Sequence, residues 1–198
     1  MKRAIVSGAT GFIGSVFANF LIEKGVKVLS LGRKDFKDIS KPRQDKLKKT
    51  TYLNINMSNI DELSNKVNSI NWDVGKDCIF FNLAWGGEDK LSDMNIQAQI
   101  NNVNWSVLAL KEAEKLGCKS FIQVGTMEEA FTHKYLNLDY TKHNQFNRHV
   151  IYSIAKISAK YSLELISAQM NINLIYVLHS HVMGPDDDKD SFLQVTLQ

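Results

Sequence analysis

The sequence predicts an α/β fold: one doubly wound parallel sheet with helices on both faces. Three observations carry the prediction. Short apolar runs alternate with longer segments of helical periodicity along almost the whole chain. No hairpin signal joins neighbouring apolar runs, so successive strands are expected to run parallel through crossovers. The stretch "DCIFFNLAW", Asp77 to Trp85, is continuously apolar in its middle, as a central strand buried on both faces must be.

The elements follow in order. "RAIVSG" is the first strand. "GFIGSVFANFLIEKG" spaces Phe12, Val16, Phe20 and Leu21 helically and stops at Gly25. "VKVLSLG" is the second strand. The basic run Lys37 to Lys49 alternates with Asp and Ser, carries Pro42, and is read as a solvated loop. "TTYLNI" is the third strand. "SNIDELSNKVNSI" places Ile60, Leu63, Val67 and Ile70 on one helical face, with Ser58 or Asn59 as cap. After the fourth strand, a long helix spans about Asp93–Leu116 and ends at Gly117. "KSFIQVG" is the fifth strand. Gly125 to Asn147 is polar and expected to be irregular. "YSIAKISAKYSLELISAQM" is a strong helix, Tyr152–Met170, and "INLIYVL" is the sixth strand. No repeat, low-complexity tract or linker divides the 198 residues, which read as one domain.

Composition excludes several classes. With 44% hydrophobic and 23% charged residues the chain can bury one good core. A net charge of +3, without aromatics interleaved among the basic residues, argues against nucleic acid. No run approaches the ~18 apolar residues of a membrane span, and "MKRAIVSG" is too short for a signal-peptide core. Cys78 and Cys118 fit neither a metal-ligand spacing nor a disulfide framework. A cytoplasmic protein with reduced thiols, no bound metal and no membrane partner is expected.

The glycines of "VSGATGFIGSVF" sit between the first strand and the first helix. Each has a role there. Gly8 turns the chain out of the strand, Gly11 lets backbone approach a pyrophosphate, and Gly14 lets the helix pack on the sheet. The helix N-terminus then offers free N–H groups to phosphates. Gly8, Thr10, Gly11, Phe12, Ile13 and Gly14 are therefore candidate dinucleotide-binding residues. The spacing and wording of "GATGFIG" resemble the short-chain dehydrogenase/reductase superfamily, in particular its extended members, the NAD-dependent epimerase/dehydratase family. That resemblance implies a Rossmann-like sheet of strand order 3-2-1-4-5-6.

The end of the second strand selects the cofactor: an acid there binds the ribose of NAD, an arginine the extra phosphate of NADP. "LSLGRKD" presents Arg33 before Asp35, which favours NADP over NAD.

"YSIAK" carries the chemistry. Tyr152 and Lys156, four apart on a helix, share a face. A lysine ammonium beside a phenol is expected to lower its pKa and make it a proton carrier at neutral pH. The resemblance supplies the third member, Thr126 of "VGTMEEAF", whose hydroxyl would orient the reacting sugar oxygen. It also implies that the Leu83-Ala84-Trp85 backbone lies along the cofactor and that Asn102 sits nearby. "HVMGPDDD" is similar to the family segment after strand six.

The chain departs from the family at several places. Asn56 stands where an Asp usually meets the adenine. Leu178, His181 and Met183 replace usual substrate-end residues, and Ala130-Phe131 replaces a Tyr-Gly. Glu128 matches the proton-abstracting Glu of dehydratases, while Glu129 matches the Glu of an epimerase and reductase branch. Epimerisation, dehydration and ketone reduction stay open. Of the histidines, His179 and His181 read as a strand-end pair and His133, His143 and His149 as solvated residues near the substrate mouth.

The resemblance implies a nucleotide-sugar oxidoreductase, pairing as a homodimer through the two long helices. Family members usually continue into a small C-terminal substrate domain, which here is expected to be truncated or missing after about residue 185. The alternative is a dinucleotide-binding sensor or scaffold without turnover.

Overall fold

A computed structural model describes residues 1–87, 94–142, 149–180 and 182. The elements are β1 (Arg3–Ser7), α1 (Phe12–Glu23), β2 (Lys27–Gly32), α2 (Lys41–Leu47), β3 (Thr51–Asn54), α3 (Leu63–Ser69), β4 (Cys78–Asn82), α4 (Ile96–Lys115), β5 (Ser120–Val124), α5 (Glu128–Tyr135), α6 (Val150–Ser167) and β6 (Asn173–Val177). The six strands form one parallel sheet in the order β3-β2-β1-β4-β5-β6, as the family resemblance implies. The segments 183–188 and 143–147, His181, and Asp93 at the expected start of the long helix lie outside the described residues.

Two cores follow from the period of two along the strands. Ile5, Leu29, Phe80 and Phe121 face α4 and α6, where Leu110 and Leu163 are fully buried. Ala4, Val6, Val28 and Phe81 face the other way, against Ala18 and Leu21 of α1 and Leu47 of α2. Burying a side chain such as Phe80 or Phe121 contributes about 1.5–3 kcal/mol each, and their rings stack at 5.2 Å. This register sends the C-terminal ends of all six strands to one edge, where a doubly wound sheet holds its ligands.

Three expectations are corrected. The basic run is not a solvated loop: it folds into the 3₁₀ turn Phe36–Asp38 and α2, pinned by buried Ile39 and Leu47. Pro42 sits in the first turn of α2, where its missing N–H does no harm. The Ser58–Ile70 helix splits into the 3₁₀ segment Met57–Glu62 and α3, capped by Asn56 rather than Ser58 or Asn59. At the split, the buried carboxylate of Glu112 accepts the Ser64 N–H at 2.7 Å. The polar segment after β5 is not irregular throughout, because Glu128–Tyr135 forms α5 with both acids in its first turn, the favourable end of the helix dipole. Among the described residues no helix is long and apolar enough to cross a membrane.

Candidate active site

The site grows from the β1–α1 turn. Gly8 has φ +66°, a left-handed conformation that disfavours any residue with a Cβ. A Cβ there would also lie 2.9 Å from the backbone N of Ala84. The turn and the loop after β4 therefore touch, and Leu83-Ala84 line one wall beside the glycines. A Cβ on Gly14 would overlap the Gly8 carbonyl oxygen, so α1 presses directly on the turn. Gly11 caps α1 with no side-chain hydrogen bond, leaving the N–H groups of the first turn to a ligand. The cradle thus has the shape that a pyrophosphate needs.

A buried polar ladder holds the β4 loop in place, and sequence reasoning did not anticipate it. Ser7 Oγ donates to Asn82 Oδ1 at 2.5 Å and accepts the Ala84 N–H at 3.2 Å. Asn82 Nδ2 donates to Gln123 Oε1 at 2.8 Å. Ser7, Asn82 and Gln123 are each a buried polar residue closing an apolar strand or nearly so, which was the available signal. Asn102 clamps Gly86, accepting its N–H and donating to its carbonyl, both at 2.7 Å. Its amide is thereby committed to shaping the loop. Trp85 donates from Nε1 to buried Gln99 of α4 at 2.8 Å.

Thr126, Tyr152 and Lys156 meet at the same edge. All three are buried. The Thr126 hydroxyl lies beside the Tyr152 phenol, close enough to oppose the rise of its pKa. Lys156 Nζ donates to the Val124 carbonyl at 3.2 Å, sits 3.7 Å from the centre of the Trp85 ring, and lies 5.7 Å from that of Tyr152. Trp85 and Tyr152 pack edge-to-face at 6.1 Å. The expected electrostatic tuning is absent in this arrangement. Burial pushes the Tyr152 phenol up to about 12, the Thr126 hydrogen bond opposing and the charges of Glu128 and Glu129 adding to the rise. Burial pulls Lys156 down to about 7, with Glu129 opposing. Desolvation therefore outweighs mutual attraction, because the lysine turns to a carbonyl and an indole face rather than to the phenol.

Both glutamates are partly buried and hydrogen-bonded. Glu128 Oε2 accepts from the Tyr135 hydroxyl and lies 3.3 Å from His149 Nδ1. Glu129 Oε1 accepts the Thr126 N–H at 2.8 Å and the Tyr176 hydroxyl at 2.9 Å. His149 is therefore not a solvated residue, since its side chain is only 18% exposed. His133 is exposed. His179 Nδ1 faces the Gly125 carbonyl, 2.5 Å away, while its expected pair-mate His181 lies outside the described residues.

At the other end of the cleft, Arg33 and Asn56 are exposed, and the Asn56 side chain accepts the Ser58 N–H at 3.3 Å. A residue the sequence reading passed over joins them: Arg43 of α2 donates from Nη1 to the Thr10 carbonyl at 3.0 Å.

Residues 4–196 match the family described as "NAD dependent epimerase/dehydratase family". Among solved structures, a UDP-glucose 4-epimerase from Thermotoga maritima with UDP-glucose is 18% identical with a TM-score of 0.68, covering 96% of this chain and 59% of that one. An NAD dependent NDP-hexosamine 5,6-dehydratase of tunicamycin biosynthesis is 17% identical, TM-score 0.71, covering 98% and 60%. A Thermus thermophilus UDP-glucose 4-epimerase in complex with NAD is 14% identical, TM-score 0.68, covering 98% and 60%. The chain thus spans about three fifths of the length of these structures. No curated protein matches it.

Proposed function

The chain belongs to the NAD dependent epimerase/dehydratase family, and from that membership we propose that it is a nicotinamide-dinucleotide-dependent oxidoreductase acting on a nucleotide sugar. The observation that carries the reading is the convergence of Thr126, Tyr152 and Lys156 at the strand ends, beside the wall that Leu83-Ala84 share with the glycine turn. Gly8, Thr10, Gly11, Phe12, Ile13 and Gly14 would hold the pyrophosphate. Asn56 would meet the adenine, and Arg33, directly after β2, would meet the 2′-phosphate of NADP.

When bound, the nicotinamide supplies a hydride acceptor and donor. The chain's own residues handle the proton and the geometry. Tyr152, as its phenolate, would take the proton of the sugar hydroxyl as it becomes a carbonyl, and would return it in the reverse direction. Burial opposes that phenolate, and the positive charge of the bound oxidised nicotinamide would favour it. Thr126, which lies beside the Tyr152 phenol, would hold the sugar oxygen within reach. Lys156 would hold the ribose of the bound dinucleotide, once its Nζ exchanges the Val124 carbonyl for that partner. A dehydration would draw on Glu128 as the base beside the transient ketone, once its bonds to Tyr135 and His149 are exchanged.

A homodimer is supported by the outer face of α4 and α6. Ile96, Ile100 and Ile154 are exposed there and line, with Val103, Ile151 and Ile166, an apolar groove of about 550 Å³. Contiguous apolar surface of this kind marks an association site.

The test is turnover. The protein is mixed with NADH or NADPH, or the oxidised forms, and a panel of UDP-, GDP-, CDP- and dTDP-sugars with their 4-keto derivatives. Nicotinamide absorbance and product are followed. Turnover abolished by Tyr152→Phe is the expected result. Dinucleotide binding without turnover on any sugar, unaffected by Tyr152→Phe, sinks the reading and leaves a sensor or scaffold of the same fold. One observation favours that second reading: Lys156 rests on Trp85 and Val124, away from the phenol.

A further inference from the structure

We infer that Arg43 of α2 is a second phosphate-binding cation of the dinucleotide site, acting with Arg33 so that this chain takes NADP in preference to NAD. The inference rests on the cofactor reading above and extends it to an element outside the glycine turn and the strand end.

Position 32 comes first. It closes β2, where an acid would bind the adenosine ribose hydroxyls of NAD. Here it is glycine, and the surroundings exclude anything larger. A Cβ on Gly32 would overlap the Tyr52 hydroxyl and lie 2.5 Å from Thr10 Cγ2. No carboxylate can be presented from this position without moving the ring. The nearest acid along the chain, Asp35, is engaged elsewhere: its Oδ1 accepts from Asn54 Nδ2 of β3. The segment between is held as well, because the Tyr52 hydroxyl donates to the Lys34 carbonyl at 2.6 Å. The strand end therefore lacks the acid that NAD recognition uses, and it carries Arg33 directly after the glycine.

Arg43 approaches the same spot from α2. Its Nη1 donates to the Thr10 carbonyl at 3.0 Å, and the Thr10 methyl is the group that crowds Gly32. Ala9 N–H also donates to the Leu31 carbonyl at 3.1 Å, stitching the glycine turn to the end of β2. Arg43 thus touches Thr10, and exposed Arg33 follows Gly32, the residue that the Thr10 methyl crowds. The contact to Thr10 uses one N–H of a guanidinium that has five. The remaining fork suits a phosphate dianion, which two guanidinium groups bind far better than one.

The placement is built into the fold. α2 is anchored by fully buried Leu47, and Gln44 Nε2 donates to the Lys37 and Ile39 carbonyls at 3.1 and 2.6 Å. The competing acid of α2, Asp45, pairs with Lys41 at 3.3 Å. A ribose 2′-phosphate is the ligand group that this chemistry fits: a compact dianion beside the adenosine, with Asp35 held by Asn54 and Asp45 by Lys41.

The test measures binding, not turnover. NADPH and NADH are titrated into the full chain by calorimetry, and 2′-AMP and 5′-AMP are compared as competitors. Wild type is expected to bind NADPH at least about tenfold more tightly than NADH. Arg43→Ala is expected to weaken NADPH by about 10- to 100-fold, the range of a lost charged hydrogen-bonding partner, with NADH unchanged. Arg43→Lys should fall between, keeping charge but losing the fork. Unfolding midpoints of both variants within a few degrees of wild type would show that α2 is intact. Equal binding of NADH and NADPH by wild type overturns the inference. So does an equal loss of both in Arg43→Ala, which would make Arg43 an adenine or scaffold contact. Binding of neither dinucleotide overturns it together with the cofactor reading beneath it, whereas tight NADPH binding without turnover supports it and removes only the enzymatic reading.

Discussion

Lys156 Nζ lies 3.7 Å from the centre of the Trp85 ring, within cation–π distance, while burial pulls its pKa down to about 7. The lysine proposed for catalysis is therefore a stability liability in this state. A Lys that ionises at 10.5 in the unfolded chain and near 7 when folded binds more protons unfolded across that interval, so it disfavours folding most at and below pH 7 and progressively less toward pH 10.

Lys156→Met should abolish turnover while raising the thermal midpoint at pH 7. Each kcal/mol gained moves the midpoint of a chain of this size by about 2–4 °C. The gap between variant and wild type should narrow as pH rises from 7 toward 10. A scan showing the variant less stable at pH 7, or a gap that widens with pH, would contradict the buried-lysine account.

Gly14 tests the cradle. Because a Cβ there overlaps the Gly8 carbonyl oxygen, Gly14→Ala must push α1 off the turn. Overpacking of this kind costs about 1–3 kcal/mol. Dinucleotide affinity should drop with it, since α1 aims its N-terminal N–H groups at the same space. Gly25→Ala serves as control: it also has positive φ, +76°, but a Cβ there meets nothing within 4 Å, so stability alone should fall.

Glu129 is predicted to be a positioning residue. Its Oε1 holds the Thr126 N–H and the Tyr176 hydroxyl. Glu129→Ala strands both donors in a partly buried site, at about 1–3 kcal/mol. The expected kinetic signature is a fall in kcat with little change in KM for the dinucleotide, because Thr126 loses its anchor while the glycine turn is untouched. Glu129→Gln, which keeps an acceptor oxygen, should restore most of the stability. Loss of turnover in Glu129→Gln as complete as in Tyr152→Phe would instead make the carboxylate a proton carrier.

These contacts show where sequence reading stops. The parallel sheet was legible because apolar runs and helical periodicity alternate cleanly, whereas its strand order came with the family resemblance that the glycine turn carries. α2 and α5 were not legible. Both are short and charged, so no apolar stripe announces them, and each is fixed by distant partners: Arg43 by Thr10, Glu129 by Tyr176. The candidate pair Tyr152 and Lys156 was visible as a helix face. Its electrostatics were not, because they depend on Trp85 closing over the lysine from another strand's loop and on burial that spacing alone cannot report.

The α4–α6 face yields a final prediction. Ile96, Ile100 and Ile154 are 56%, 55% and 38% exposed, and these β-branched side chains lie on two helices that pack against each other. Water-exposed apolar groups at this density favour covering the face with an equal one, and two copies related by a two-fold axis would stack four helices. The inner faces of the same helices carry Gln99, which holds Trp85, and Tyr152 and Lys156 themselves. Pairing would therefore stiffen the framework behind the candidate site. Ile100→Asp is expected to convert a dimer to a monomer in light scattering coupled to size exclusion, and to reduce turnover by less than Tyr152→Phe does, because it removes support rather than chemistry. A wild-type chain that runs as a monomer at all accessible concentrations would overturn the pairing. A monomeric Ile100→Asp with unchanged turnover would separate the interface from the site.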